Sequence, residues 1–139
     1  MIFRRARLPL LVLCGLGVVA FAQEVVSIGS VLADTQSYHL KDVVLRGKAR
    51  NIVELSPYRT GIMLCWGTYT FTLEDGTGSI GVSVQGPCTM NIMDPNVKPD
   101  QVTDGEEVTV QGLIFVGDYN NGQYVPDGKA TLLSKRFIK

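Results

Sequence analysis

The sequence predicts a small all-β domain, a five-stranded Greek-key barrel behind a short N-terminal lead-in. Three observations carry that prediction. Several segments alternate apolar and polar residues with the period of two that marks a half-buried strand. The first and fourth are long and contain internal glycines, Gly47 and Gly112, as strands that bend round a closed barrel require. Between the third and fourth lies an irregular insertion, Gly86 to Asp104, where Pro87, Pro95 and Pro99 prevent a long helix.

The chain begins with a segment of a different kind. Arg4, Arg5 and Arg7 precede an apolar run from Leu8 to Phe21, which ends in Ala20-Phe21-Ala22. A basic flank, a short apolar core and an Ala-x-Ala end describe a secretory signal peptide over residues 1–22, cleaved before Gln23. The run holds roughly 14 residues, short of the roughly 20 that span a bilayer as a retained anchor. Cys14 raises an alternative, lipid attachment, although Leu13 stands where a lipoprotein signal needs a small residue. The expected compartment is therefore periplasmic or secreted. Without the leader, Lys+Arg falls from 13 to 10 against 13 acidic residues, a net charge of about −3. That balance excludes a bulk polyanion binder, because affinity for phosphate backbones comes mainly from basic neutralisation.

Residues 23–42 form the lead-in. Val25 to Ala33 is modestly apolar and reads as a strand start or a short helix packed under the barrel, and Asp34 to Lys41 is polar and turn-rich. The barrel domain spans 43–139. Val43 to Val53 is the first strand, with Val43, Leu45, Gly47 and Ala49 on one side and Val44, Arg46, Lys48 and Arg50 on the other. Glu54 to Gly67 connects it onward, with Ile62-Met63-Leu64 placed to lengthen the second strand. The central hairpin, Tyr69 to Val84, is the clearest element. Asp75-Gly76-Thr77-Gly78 supplies the turn, since glycine tolerates positive φ and Asp bonds its own backbone. Centring the hairpin between Gly76 and Thr77 pairs Leu73 with Ile80, Phe71 with Val82 and Tyr69 with Val84. All six then share one face. Glu107 to Val116 is the fourth strand, Gly117 to Gly128 a loop, and Ala130 to Ile138 the closing strand.

The same register reaches the cysteines. With Cys14 removed, Cys65 and Cys88 remain in a compartment where disulfides persist. Extending the hairpin outward places them opposite each other. A metal site is the rival, but two cysteines without a nearby histidine or third cysteine fall short of a zinc set. Two free buried thiols are the other alternative.

A five-stranded barrel of this kind is the OB-fold, which binds through its strand 2–3 face and flanking loops. The sequence resembles the bacterial OB-fold family of small exported proteins and, more distantly, anticodon-binding OB modules. The matching residues are Val43-Val44-Leu45-Arg46-Gly47, then Phe71-Thr72-Leu73-Glu74-Asp75-Gly76-Thr77-Gly78-Ser79-Ile80, then Asp104-Gly105-Glu106-Glu107-Val108-Thr109-Val110-Gln111-Gly112. These are scaffold motifs that identify strands and turns, not a reaction. The chain departs from the short exported members by Cys65, Cys88 and its longer Gly86 to Asp104 segment.

Catalysis has little support, and no enzyme activity, cofactor or metal is expected. His39 is the single histidine, reads as a solvated loop residue, and leaves any histidine-based triad dependent on it. Asp104, Glu106 and Glu107 lack the ligand count of a calcium loop. Gly76-Thr77-Gly78 is too short for a phosphate cradle and opens no helix.

The expected site is a surface. On the outer barrel face, Arg46, Lys48 and Arg50 lie beside Thr70, Thr72 and Glu74, with Glu74 also placed to pair Arg46 across strands. Ser83 and Gln85 continue the face. Tyr58, Arg59 and Trp66 border it from the first loop, Trp66 pointing away from the core by parity with Cys65. Tyr119 and Tyr124 border it from the last loop. Donors, cationic heads and aromatic planes around a shallow sheet fit a small molecule or oligosaccharide, or a strand of nucleic acid. The expectation is an exported, non-catalytic binding module for a small ligand or oligosaccharide. The alternatives are a single-stranded nucleic-acid binder and a structural or assembly subunit with an envelope protein partner.

Overall fold

The computed structural model describes residues 22–90, 97–120 and 123–138. The leader expected over 1–22 falls, but for Ala22, outside them. The elements in order are α1 (Ile28–Ala33), α2 (Thr35–Tyr38), β1 (Asp42–Glu54), β2 (Tyr58–Thr60), β3 (Met63–Cys65), β4 (Tyr69–Glu74), β5 (Ser79–Val84), β6 (Cys88–Thr89), β7 (Glu107–Asn120) and β8 (Gln123–Ile138). Five of them close a barrel in the order β1-β4-β5-β8-β7, and β2-β3-β6 form a separate small sheet. Every contact round the barrel is antiparallel except β5 with β8, which is parallel. That order, closed by one parallel pair, is the OB-fold.

The central hairpin has the expected register: Tyr69 faces Val84, Phe71 faces Val82 and Leu73 faces Ile80. All six side chains are at least nine-tenths buried. Alternation therefore set the pairing, because a slip of one residue would turn this apolar set out to water. On β1 the expected inner residues Val43, Leu45 and Ala49 are buried in the same core. Val44, expected outside, is buried too, at 1% exposure. The lead-in runs along its edge, where Val25 bridges to Val44 and Val26 N donates to Val44 O at 2.9 Å. The bend expected at Gly47 falls later. The register shifts between Arg50 and Val53, where Asn51 has φ of 53°. Gly47 serves a close crossing instead, for a Cβ there would lie 2.3 Å from Glu74 O.

Residues 28–38, which the sequence left as a short helix or strand followed by turns, form two short helices. Ser27 caps α1, its hydroxyl accepting from Ser30 N at 3.2 Å, a common helix start. Ile28 and Val31 then share the inner side and are fully buried. The hairpin turn holds the helix down. Ile28 N donates to Asp75 Oδ2 at 2.8 Å, and Gly29 N donates to Thr77 Oγ1 at 2.8 Å. A turn motif is thus also a docking point for the lead-in. His39, read as a solvated loop residue, is half-buried instead. Its Nδ1 accepts from Val116 N at 3.0 Å and its ring packs against Phe115, 5.4 Å between centroids.

Two connections differ from expectation. The segment Ile62-Met63-Leu64 does not lengthen the second strand: β3 turns away and joins β2 and β6. The described residues of the Gly117 to Gly128 loop are instead strand backbone, with Asp118 opposite Val125 and Tyr119 opposite Tyr124. The ladder continues past a register shift between Val116 and Asp118, where Gly117 has φ of 118°. A positive-φ glycine absorbs the extra residue of a bulge and lets both strands run on.

Cys65 and Cys88 stand opposite each other in the β3–β6 ladder and form a disulfide, with Cα atoms 4.0 Å apart. Their register matches the hairpin, although the sheet breaks between them and it at Gly67 and Gly86. The chains pass closest at that break. A Cβ on Gly86 would lie 1.8 Å from Trp66 O, and Gly86 N donates to Thr68 Oγ1 at 3.0 Å. The bridge therefore joins β3 to β6 within the small three-stranded arm, just beyond the root of the central hairpin.

Candidate ligand-binding face

The outer side of β4 and β5 is built from short side chains. Thr70 faces Ser83 and Thr72 faces Gly81 across the β4–β5 ladder, and Gly81 in turn pairs with Thr131 of β8. Because alternate residues point inward, these four polar positions share the outer face with Gly81, and each is half-buried. No atom lies within 4 Å of the position a Cβ on Gly81 would take. A depression of about 400 Å³ opens over this glycine, with Thr72 and Ser79 on its floor and Leu32 and Thr35 of the lead-in at its side. Lead-in and barrel thus shape one concavity.

At the arm side of the face, Gln85 Nε2 donates to Tyr58 Oη at 2.6 Å. The structure therefore brings together Thr70, Thr72 and Ser83 on the sheet, and joins Gln85 to Tyr58 beside it. Arg59 is exposed on the arm, opposite Leu64. The side chains of Tyr119 and Tyr124 lie outside the described residues.

Two expectations about the basic stripe are corrected. Arg46 does not lie beside β4, whose pairing with β1 begins at Lys48 opposite Glu74. It turns instead over β7, where Nε donates to Glu107 Oε1 at 2.7 Å. Glu74 consequently pairs with Arg50 rather than Arg46, at 3.9 Å, and Asp104 approaches the same guanidinium at 3.8 Å. Lys48 stands between Glu74 on β4 and Glu107 on β7 in the two ladders. Arg46 and Arg50 thus have carboxylate partners, whereas Lys48 makes no ion pair among the described residues. Pairs exposed like these stabilise the fold by only about 0–1 kcal/mol. Their consequence is electrostatic: the stripe presents little net positive field.

Trp66 is the third correction. Parity placed it outward, yet it is 6% exposed, next to the equally buried Cys65. The alternation ends there because Gly67 takes φ of 69° and Trp66 N donates to Pro87 O at 3.1 Å. Its ring lines a separate cavity of about 250 Å³ with Leu55, Pro57, Tyr69 and Lys98. Sequence reasoning missed this cavity, and a glycine directly after an alternating run was the one local sign of a parity change.

Two titratable groups report the local environment. Burial, with the Asp100 and Glu106 carboxylates adding to it, pushes the Tyr69 phenol up to about 12. The phenol stays neutral and donates to Asp100 O, fastening the 97–106 segment over the barrel end. For Asp75, burial pushes upward, but hydrogen bonds from Thr77 Oγ1 and from the Ile28, Thr77 and Gly78 amides outweigh it. Its carboxyl is held below the usual range. Among the described residues no cluster of three or more His, Cys, Asp or Glu is placed to hold a metal. No described helix is long and apolar enough to cross a membrane.

Fold and face together define an OB-fold barrel with a shallow, hydroxyl-lined concavity on its strand 2–3 side. No protein-family model matches the chain, and no curated protein matches it. Among solved structures, an aspartyl-tRNA synthetase from Leishmania major Friedlin superposes with a TM-score of 0.48 and 13% identity over 87% of this chain. An asparaginyl-tRNA synthetase from Pyrococcus horikoshii, complexed with asparaginyl-adenylate, gives 0.39 and 16% over 73%. The chain spans about a fifth of the length of these enzymes, 21% and 19%. Likeness of that degree carries no argument, and the fold rests on the strand order and its parallel closure.

Proposed function

We propose that the chain is an exported, non-catalytic binding module whose ligand is a neutral, hydroxyl-rich molecule, an oligosaccharide by preference, lying across the outer β4–β5 face. The observation that carries this reading is the concavity over Gly81. Its lining offers the Thr72 and Ser79 hydroxyls, with Lys129 as the one charged residue, and Thr70 and Ser83 extend the polar row. Hydroxyls both donate and accept, which suits a ligand made of hydroxyls. OB barrels bind oligosaccharides and oligonucleotides through this same face. The choice between them turns on charge. A phosphate backbone needs free cations, and here Arg46 and Arg50 are each paired with carboxylates, which leaves Lys48 as the one cation of the stripe without an ion pair among the described residues. Export is supported by the leader pattern together with the Cys65–Cys88 bridge, a bond that persists in oxidising compartments.

The test is an NMR titration of the protein beginning at Gln23 with neutral oligosaccharides and, separately, single-stranded oligonucleotides. The expected result is saturable shifts at Thr72, Gly81 and Ser83 with a sugar, insensitive to salt. Gly81→Val, which fills the concavity, removes binding without moving the melt by more than about 1 kcal/mol. Binding of oligonucleotides alone, weakening steeply with salt, would replace this reading with the nucleic-acid one.

A further inference from the structure

We propose that the oligosaccharide carries N-acetyl groups selected by Val53 and Leu133, a specificity that rests on the outer β4–β5 face being the binding site. Two rows of residues cross the outer sheet side by side, through successive pairings of β1, β4, β5 and β8. One runs Arg50, Thr72, Gly81, Thr131, and the next along the strands runs Val53, Thr70, Ser83, Leu133. The first ends in polar groups, with Arg50 held by Glu74 and Asp104, and has the hollow of Gly81 within it. The second ends in aliphatic side chains.

The direction of those two side chains is settled by their neighbours. Val53 stands opposite Thr70 of the outer face and is 53% exposed. Leu132 is fully buried, which turns Leu133 outward, 40% exposed, with half-buried Leu113 beyond it on β7. Exposed aliphatic residues scattered singly are ordinary, but these two close both ends of one hydroxyl row. Between them, the Thr70 and Ser83 hydroxyls are taken up by no hydrogen bond among the described residues. Neighbouring strands lie about 4.8 Å apart, so Val53 and Leu133, three strand spacings apart, are separated by about 14 Å of sheet. One sugar ring cannot reach both, and the ligand is an oligomer. Valine and leucine have no ring plane for a sugar face to lie on, so the groups they meet are small, apolar and methyl-sized. The hydroxyls beside them both donate and accept. An acetamido group supplies the methyl, an N–H and a carbonyl together. The remaining sugar hydroxyls then face Thr72 and Thr131 across the Gly81 hollow.

Triacetylchitotriose and cellotriose are the probes. They share one linkage and differ at the second carbon of each ring, acetamido in the first and hydroxyl in the second. By calorimetry the acetylated trimer should bind about tenfold tighter, the gain expected when two methyl groups find apolar contact. Val53→Ser and Leu133→Ser should each reduce that preference about threefold, and the double variant should bring the two trimers within about twofold of each other. Both side chains are exposed, so the variants fold, and their melts check this. In wild type, NMR should show the Val53 and Leu133 methyl resonances shifting with the acetylated trimer. Equal affinities in wild type, or a preference that survives the double variant, would overturn the selection, while cellotriose shifts at Gly81 would leave the face standing as a binding site. Failure of both trimers to bind, with no shift at Gly81, would overturn the selection and the face together.

Discussion

Replacing Asp75 by alanine should release the lead-in helix from the barrel while leaving the barrel folded. The carboxylate accepts from Ile28 N and Thr77 N at 2.8 Å each, and from Thr77 Oγ1. Hydrogen bonds to a charged group contribute about 1.5–3 kcal/mol each. This carboxylate is solvent-accessible, so screening brings each bond below that range and the three together contribute about 2–4 kcal/mol. The Thr77 hydroxyl, oriented by Asp75, also accepts from Gly29 N, so both anchors of α1 fail together. Ile28 and Val31 are fully buried beneath that helix. Exposing both would cost about 3–6 kcal/mol more, which favours a loosened helix over a fully detached one. Urea denaturation and amide hydrogen exchange read the two effects separately. The variant should lose about 2–4 kcal/mol, with protection falling first at Ile28 to Val31 and remaining on β4 and β7. The pH dependence has a definite sign. The Asp75 carboxyl is held below its unfolded value, so its contribution is fully present above the unfolded carboxylate value of about 3.9. It is lost as pH falls through the folded value. The difference between wild type and Asp75→Asn should therefore be flat from neutrality to about pH 5 and shrink below it. Unchanged protection at Ile28 in Asp75→Ala, or a difference that grows in acid, would refute the anchoring role.

Two further outcomes follow from the same geometry. Replacing Cys65 and Cys88 together by alanine opens a loop of sequence separation 23 and should cost about 3 kcal/mol in the chain-entropy model. For a domain of this size that lowers Tm by about 10–15 °C, measurable by calorimetry; an unchanged Tm would mean the arm adds nothing to stability. Gly86→Ala and Gly81→Ala form a matched pair. The first puts a Cβ 1.8 Å from Trp66 O and the second meets nothing within 4 Å, so circular dichroism melts should show a loss above about 3 kcal/mol against one near or below 1 kcal/mol.

The barrel was legible in the sequence wherever one strand face is buried and the other wet. Tyr69, Phe71 and Leu73 against Ile80, Val82 and Val84 needed only alternation and a turn to give the register, and that register reached Cys65 and Cys88. Legibility stopped where burial has two sides. Val44 sits on the outer parity of β1 but is buried, at a point where Val25 and Val26 of the lead-in pair with its backbone, a contact between segments that no local period encodes. The strand pairing past Gly117 was hidden for another reason. Its glycines and asparagines read as a loop, yet one positive-φ residue carries the ladder through.

The site was less legible than the fold because its character depends on which strands are neighbours. Along β1, Arg46, Lys48 and Arg50 alternate as a basic stripe whatever the fold. Barrel closure places β7 on one side of β1 and β4 on the other, and so brings Glu107 to Arg46 and Glu74 to Arg50. A stripe that one strand alone presents as an anion surface becomes, between two acid-bearing neighbours, nearly neutral. Gly81 shows the converse. In the sequence it is a weak residue in a short strand, with no side chain to pack. In the barrel it stands between Thr72 and Thr131, and its missing side chain makes the hollow. The chemistry proposed for this face therefore rests on what the closed sheet cancels and what it leaves bare, which is why neutral hydroxyls rather than the arginines define the ligand.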